Sequence, residues 1–226
     1  MMDLYYVILV IPAILLSLYA QILVKSTFAK YSRIKSSRNI SGREVAALLM
    51  RAQCIQAVAI QRVSGALTDH YDPGAKVLRL SEPVYGDTSI AAIGVAAHET
   101  GHAMQHAFSY GPLALRSALV PAANIGSAVG PWLAIGGFFL SIPFLINLGI
   151  IFFGVSVLFY LITLPVEFDA SSRALEILRA NHILNESELE GVKKVLSAAA
   201  LTYVAAALTA LMNFLRLILL ARDRQR

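Results

Sequence analysis

Between Ser117 and Val166 the chain runs for 50 residues without an Asp, Glu, Lys, Arg or His. As one α-helix this stretch would measure about 75 Å. The hydrocarbon core of a bilayer is about 30 Å thick, so the segment cannot be a single crossing and must fold back. Ser141-Ile142-Pro143 and Asn147 offer a turn, which gives spans near 118–140 and 145–164. Gly126, Gly130, Gly136 and Gly137 are small residues that let membrane helices approach closely.

Composition agrees with a membrane chain. Of 226 residues, 57% are apolar and 15% charged, with a mean hydropathy of +0.65. This excludes a disordered chain and argues against an ordinary soluble domain. Cys54 is the single cysteine, so an internal disulfide framework is excluded. No internal repeat is visible.

Two further segments are apolar enough to matter. Leu4 to Val24 holds no ionisable side chain except Tyr, and its 21 residues fit one crossing. A cleaved signal peptide would have a shorter apolar core preceded by positive charge, whereas the only early charge is Asp3, so residues 4–24 read as a retained anchor. Val195 to Leu215 lies between Lys194 and Arg216 and is rich in Ala. Residues 195–221 read either as a fourth crossing or as an apolar helix packed on a catalytic domain. Lys25, Lys30, Arg33, Lys35, Arg38 and Arg43 follow the first span with no acid before Glu44. By the positive-inside rule that side is cytoplasmic. Topology accounts for this basic run beside a span, and no nucleic acid is expected as a partner. The division is then a 4–24 anchor, a cytoplasmic part over 25–116, a hairpin over 117–166, and a return to the cytoplasmic side over 167–194.

The segments outside the spans carry local signals. Ser41-Gly42-Arg43-Glu44 has capping-box spacing and predicts a helix to about Ala52. Val58–Val63 reads as a strand. Thr68–Gly74 reads as a turn-rich loop, and Lys76–Ser81 as a half-exposed strand at an open sheet edge, where an extended substrate could add. Asp87-Thr88-Ser89 can cap a helix over about 89–108.

That helix contains His98-Glu99-Thr100-Gly101-His102, the H-E-x-x-H pattern. His98 and His102 lie one turn apart on one face, so two imidazoles can share one Zn²⁺. Glu99 is placed to take a proton from a water held at such a metal. The Ala/Val/Ile-rich flank makes a chance surface cluster a poor explanation. A catalytic site needs a third protein ligand. His106 shares the face but is eight residues from His98, about 12 Å along the axis, and reads as an orienting or structural neighbour. Glu167, at the end of a span where an unpaired acid is costly, is the better candidate, with Asp169 its nearest rival. Asp169 can alternatively orient a histidine.

Five segments together resemble the YugP family of bacterial membrane zinc metallopeptidases. They are Asp69–Pro73, Val77–Ser81, Ala96–His106 with its H-E-x-x-H, Leu164–Ser171, and Ala198–Ala205. The resemblance extends through nearly the whole chain. It implies a mainly α membrane protein, with transmembrane helices fused to a small zincin-type α+β catalytic domain, related in plan to HtpX-like membrane proteases. It matches His98 and His102 to zinc ligands, Glu99 to the catalytic base and Glu167 to the third ligand. One position departs from glutamate-zincin practice: an Asp is common four residues after the ligand Glu, and Ser171 stands there. The expected function is peptide-bond hydrolysis by Glu99-assisted attack of a zinc-bound water, with one Zn²⁺ per chain and protein or peptide substrates that include membrane proteins. The expected location is the cell membrane, multi-pass, with the site on the cytoplasmic side. The alternative is a non-catalytic membrane scaffold with a structural zinc. Tyr203, Arg173 and His70 are the candidates for stabilising the oxyanion.

Overall fold

A computed structural model describes residues 3–224. The chain is mainly helical, with one small sheet. Helix α1 (Ile11–Tyr31) is preceded by a π-helical turn at Tyr6–Val10. Then come α2 (Gly42–Ala52), β1 (Ala59–Val63), β2 (His70–Asp72), β3 (Val77–Ser81), the short α3 (Glu82–Tyr85) and α4 (Ile90–Ala107). Three long helices follow: α5 (Gly111–Leu140), α6 (Pro143–Ala180) and α7 (Glu186–Arg224). Among the described residues, four helices are long and apolar enough to cross a membrane: Tyr6–Tyr31, Gly111–Leu140, Pro143–Ala180 and Glu186–Arg224.

The chain divides into two compact units. One is drawn from Met1–Gln21, Ala114–Pro165 and Leu201–Arg226; the other is Ile22–Leu113 with Val166–Ala200.

In the first unit, the reversal between α5 and α6 falls at Ser141 and Ile142, with Ser141 in the left-handed region at φ 58°. Asn147 lies inside α6, not in the turn, because Pro143 already starts the helix. Gly126, Gly130, Gly137 and Gly149 sit where an added Cβ would strike backbone of the facing helix, whereas Gly136 faces open space. Helix α7 runs antiparallel to α1. Thr209 Oγ1 meets Ser17 Oγ at 3.0 Å, Arg216 pairs with Asp3 at 2.6 Å, and Tyr5 donates to Asp223 at 2.7 Å. Residues 201–224 therefore pack beside the N-terminal helix inside this unit.

In the second unit, the capping box at α2 is complete. The Glu44 amide donates to Ser41 Oγ, and Glu44 Oε2 accepts from the Ser41 amide. Ser89 caps α4 by accepting from the Ala92 amide at 3.3 Å, and Asp87 accepts from the Ser89 amide at 2.7 Å.

Two local expectations fail in the sheet. Residues 70–72 within the expected loop form β2, paired antiparallel to β3. Three residues between turn formers carry almost no periodicity, so only the tertiary pairing makes them a strand. The Lys76–Ser81 region is not an edge: the strand order is β1-β3-β2, with β1 parallel to β3. Both sides of β3 are already hydrogen-bonded, so no substrate can add there. Leu78 and Leu80 are fully buried against Ala46, Val84, Ala92 and Ala96. A larger core joins α2, α4, α6 and α7 through Leu49, Ile93, Leu178, Ile183, Val192 and Leu196. It fixes α4 against α6, and the candidate site lies between these two helices.

Candidate metal centre

Helix α4 presents its motif on a face of small residues. Ala96, Ala97, Thr100, Gly101 and Ala103 are buried, so a second helix can come close. Gly101 sets the distance. A Cβ added there would lie 2.5 Å from the Ala170 carbonyl oxygen of α6. Gly costs about 1 kcal/mol relative to Ala in a helix interior, and here it permits the approach. Ala170 is three residues beyond Glu167, so the same contact brings Glu167 over the two histidines.

His98 Nε2 lies 3.3 Å from Glu167 Oε2, and His102 Nε2 lies 3.7 Å from the same oxygen. One donor atom from each of the three residues falls within 4.8 Å of the others. Tetrahedral zinc at about 2.0–2.1 Å from each ligand sets its donor atoms about 3.3–3.4 Å apart. The two contacts to Glu167, at 3.3 and 3.7 Å, are close to that spacing. Glu167 and His102 are buried, and so is Glu99 beside His98.

The ring nitrogens facing away from Glu167 are also occupied. His102 Nδ1 lies 2.9 Å from Gln105 Oε1. The Gln105 amide nitrogen donates to the Val166 carbonyl at 2.8 Å and to Asp169 Oδ2 at 2.7 Å. Both of those are acceptors, which fixes the amide orientation and leaves its oxygen toward His102. His102 therefore donates from Nδ1, and in its neutral form it turns the Nε2 lone pair toward the Glu167 carboxylate. Two electron-rich atoms facing each other in a buried site require a proton or a metal cation between them. The electrostatics express the same demand. Burial disfavours the His102 imidazolium, but the hydrogen bond to Glu167 and the charges of Glu99 and Glu167 outweigh it, so the His102 pKa is raised. His98 Nδ1 is met by Ser171 Oγ at 3.1 Å. The donor set and its orientation fit a divalent cation.

The other expected residues separate from this cluster. His106 Nδ1 meets the Tyr71 hydroxyl at 2.7 Å and is not part of the metal-binding group. Asp169 acts on His102 through Gln105 and is itself held by Arg173 Nε at 2.5 Å. Arg173 also stacks over the Tyr110 ring, with its guanidinium carbon 5.5 Å from the centroid. His70 is exposed on β2 and bonds the Thr68 carbonyl. A cavity of about 510 Å³ opens beside the last turns of α4, lined by Ala103, His106, Tyr71 and Lys76 among others.

Two residues of the site escape a motif reading. Gln105 looks like any polar residue near a helix end; its signal is the three-residue spacing from His102, which puts both on one face. Ser171 occupies the position where a carboxylate would be expected and reaches His98 with a hydroxyl instead.

Residues 6–222 match the model of the family described as "Putative neutral zinc metallopeptidase". Over 215 residues the chain is 50% identical to "Putative membrane protease YugP" of Bacillus subtilis (strain 168), which covers 95% of this chain and 96% of that protein. No solved structure matches the chain. With a histidine pair and a carboxylate brought together on two helices and a family match over almost its whole length, the chain belongs to the family described as putative neutral zinc metallopeptidases.

Proposed function

We propose that this chain is a multi-pass membrane zinc endopeptidase of gluzincin type. His98, His102 and Glu167 hold one Zn²⁺, and Glu99 is the general base. The observation that carries the reading is the convergence of two Nε2 atoms and one carboxylate oxygen in a buried site whose opposite ring nitrogens are already hydrogen-bonded. When bound, the zinc supplies a Lewis acid that polarises the scissile carbonyl and acidifies the attacking water. Glu99 takes the water's proton as the new C–O bond forms, then delivers it to the amide nitrogen as the C–N bond breaks. Gln105 and Ser171 hold the imidazole rings so that Nε2 of each is turned toward Glu167, where it would be free to bind a metal.

The substrates are proteins or peptides, with membrane proteins among them. Glu167 follows the uncharged stretch by one residue, so cleavage close to the bilayer surface suits the sequence better than cleavage at mid-bilayer. The basic run from Lys25 to Arg43 supports a cytoplasmic site. The antiparallel course of α7 along α1 supports a fourth crossing, which sends the C-terminal tail to the opposite side from that run.

Elemental analysis of the detergent-purified protein is the first test. Wild type should carry about one zinc per chain, and Glu167→Ala should lose most of it. Glu99→Ala should keep the zinc and lose at least about 100-fold in peptidase rate. Full zinc in Glu167→Ala would remove that ligand. An unchanged rate in Glu99→Ala would remove the base and leave the scaffold with a structural zinc.

A further inference from the structure

A second site lies wholly inside the membrane-helix unit. At the end that holds the α5–α6 turn, Asp3 and the last turns of α5 and α7 enclose a cleft of about 370 Å³. Its walls are Ile135, Phe138 and Phe139 of α5, with Leu217 and Leu220 of α7. Phe139 and the neighbouring Leu140 are 84% and 66% exposed, so the apolar wall continues onto the outer surface of the helices.

The charges in this cleft do not cancel. Arg216 is met by both carboxylate oxygens of Asp3, with its closest contact at 2.6 Å, and lies over the Tyr6 ring. Arg224 is held differently. It donates to the Phe138 carbonyl and to the Ser141 hydroxyl. Both acceptors are neutral, so they orient the guanidinium without cancelling its charge. The neighbouring acid, Asp223, lies outside the cleft lining, where it accepts from the Tyr5 hydroxyl. Among the described lining residues Asp3 is the only acid, so the lining sums to one net positive charge beside an apolar wall. A free anion would leave the wall uncovered, and a zwitterionic lipid would bring, with its phosphate, a cation that this net-positive lining disfavours. An anionic amphiphile satisfies both.

We propose that this cleft binds one anionic phospholipid, with its phosphate on Arg224 and the upper part of its acyl chains along Phe139, Leu217 and Leu220. The site is independent of the metal centre and of the peptidase reading.

The test uses the full chain purified in a neutral detergent. Binding of phosphatidylglycerol and phosphatidylcholine with identical acyl chains is compared by native mass spectrometry, with inorganic phosphate as a competitor. One basic residue at an anionic lipid surface contributes about 1 kcal/mol, so phosphatidylglycerol should bind roughly fivefold more tightly than phosphatidylcholine. Arg224→Gln should abolish the preference while circular dichroism and zinc content stay at wild-type values. Arg222→Gln, an exposed arginine outside the cleft, should retain it. Equal binding of the two lipids by wild type overturns the proposal without recourse to any variant. So does a preference that survives Arg224→Gln, one that disappears equally in Arg222→Gln, or displacement of the lipid by millimolar phosphate.

Discussion

The two units of the molecule treat their large apolar side chains in opposite ways. In the unit that holds the candidate metal centre, Leu49, Leu78, Ile93 and Leu178 are fully buried. In the membrane-helix unit, Trp132, Phe139, Phe144 and Ile151 are among the most exposed side chains, and the buried positions include Ala13, Ala20, Ala123, Ala134 and Ser156. Water drives large apolar groups inward. Lipid does not, so helices there associate by close approach of small residues and by hydrogen bonds such as that from Ser156 to the Ala123 carbonyl. The unit with the candidate metal centre borrows this second device at one place. Gly101 lets α4 touch the backbone of α6, as Gly126 does for α5 and α6 in the other unit. A close approach that serves packing in one region brings the candidate ligands together in the other.

Filling the glycine at the candidate metal centre has the largest expected effect. Gly101→Val should force α4 away from Ala170 and abolish zinc binding, read as zinc per chain below about a tenth of the wild-type value. Gly136→Val, with open space around it, should leave zinc unchanged. Zinc at wild-type level in Gly101→Val would mean that the helix contact does not set the site.

Core truncations come next. Leu178→Ala should cost about 2–5 kcal/mol, whereas Phe139→Ala, on the exposed face, should stay within about 0.5 kcal/mol in detergent. Unfolding of each variant followed by circular dichroism checks both, and equal losses would erase the distinction between the units. Gln105→Ala should weaken zinc affinity about 10–100-fold without removing a ligand, measured by competition with a chromophoric chelator. Affinity should also fall as the solution is acidified, because a proton on His102 competes with the metal. The raised pKa of His102 moves that competition to higher pH than an ordinary imidazole would give.

A small effect is also expected at the surface pair of Lys35 and Asp87, 2.6 Å apart. Burial pushes the Asp87 carboxyl up, but hydrogen bonds from Lys35 and Ser89 outweigh it and lower its pKa in the folded chain. Its contribution is therefore present above the unfolded value, near pH 3.8, and is lost as pH falls through the lower folded value. Asp87→Asn should flatten the acid limb of the stability curve and cost less than about 1 kcal/mol at neutral pH.

Much of this was legible locally. The capping box at Ser41–Glu44, the helix carrying His98 and His102, and the turn at Ser141–Pro143 each depend on residues within a few positions of one another. Glu167 stood out because an acid directly after 50 uncharged residues needs a partner. The role of β3 was not legible. Its alternation of apolar and polar residues fits an edge or a centre equally well, and only the pairing with both β1 and β2 distinguishes them.

Residues close together in the chain were enough to read the apolar segments, the need for a hairpin, the histidine pair on one helix face and the carboxylate best suited to join it. These follow from hydropathy, helical period and the cost of a lone charge near lipid, all of which are local. The tertiary structure decided that α4 and α6 meet at Gly101 and Ala170, that Gln105 and Ser171 hold the two rings, that β3 is covered on both edges, and that α7 runs back along α1. Each of those depends on residues far apart in the chain coming within contact distance, and no local pattern encodes a distance between segments.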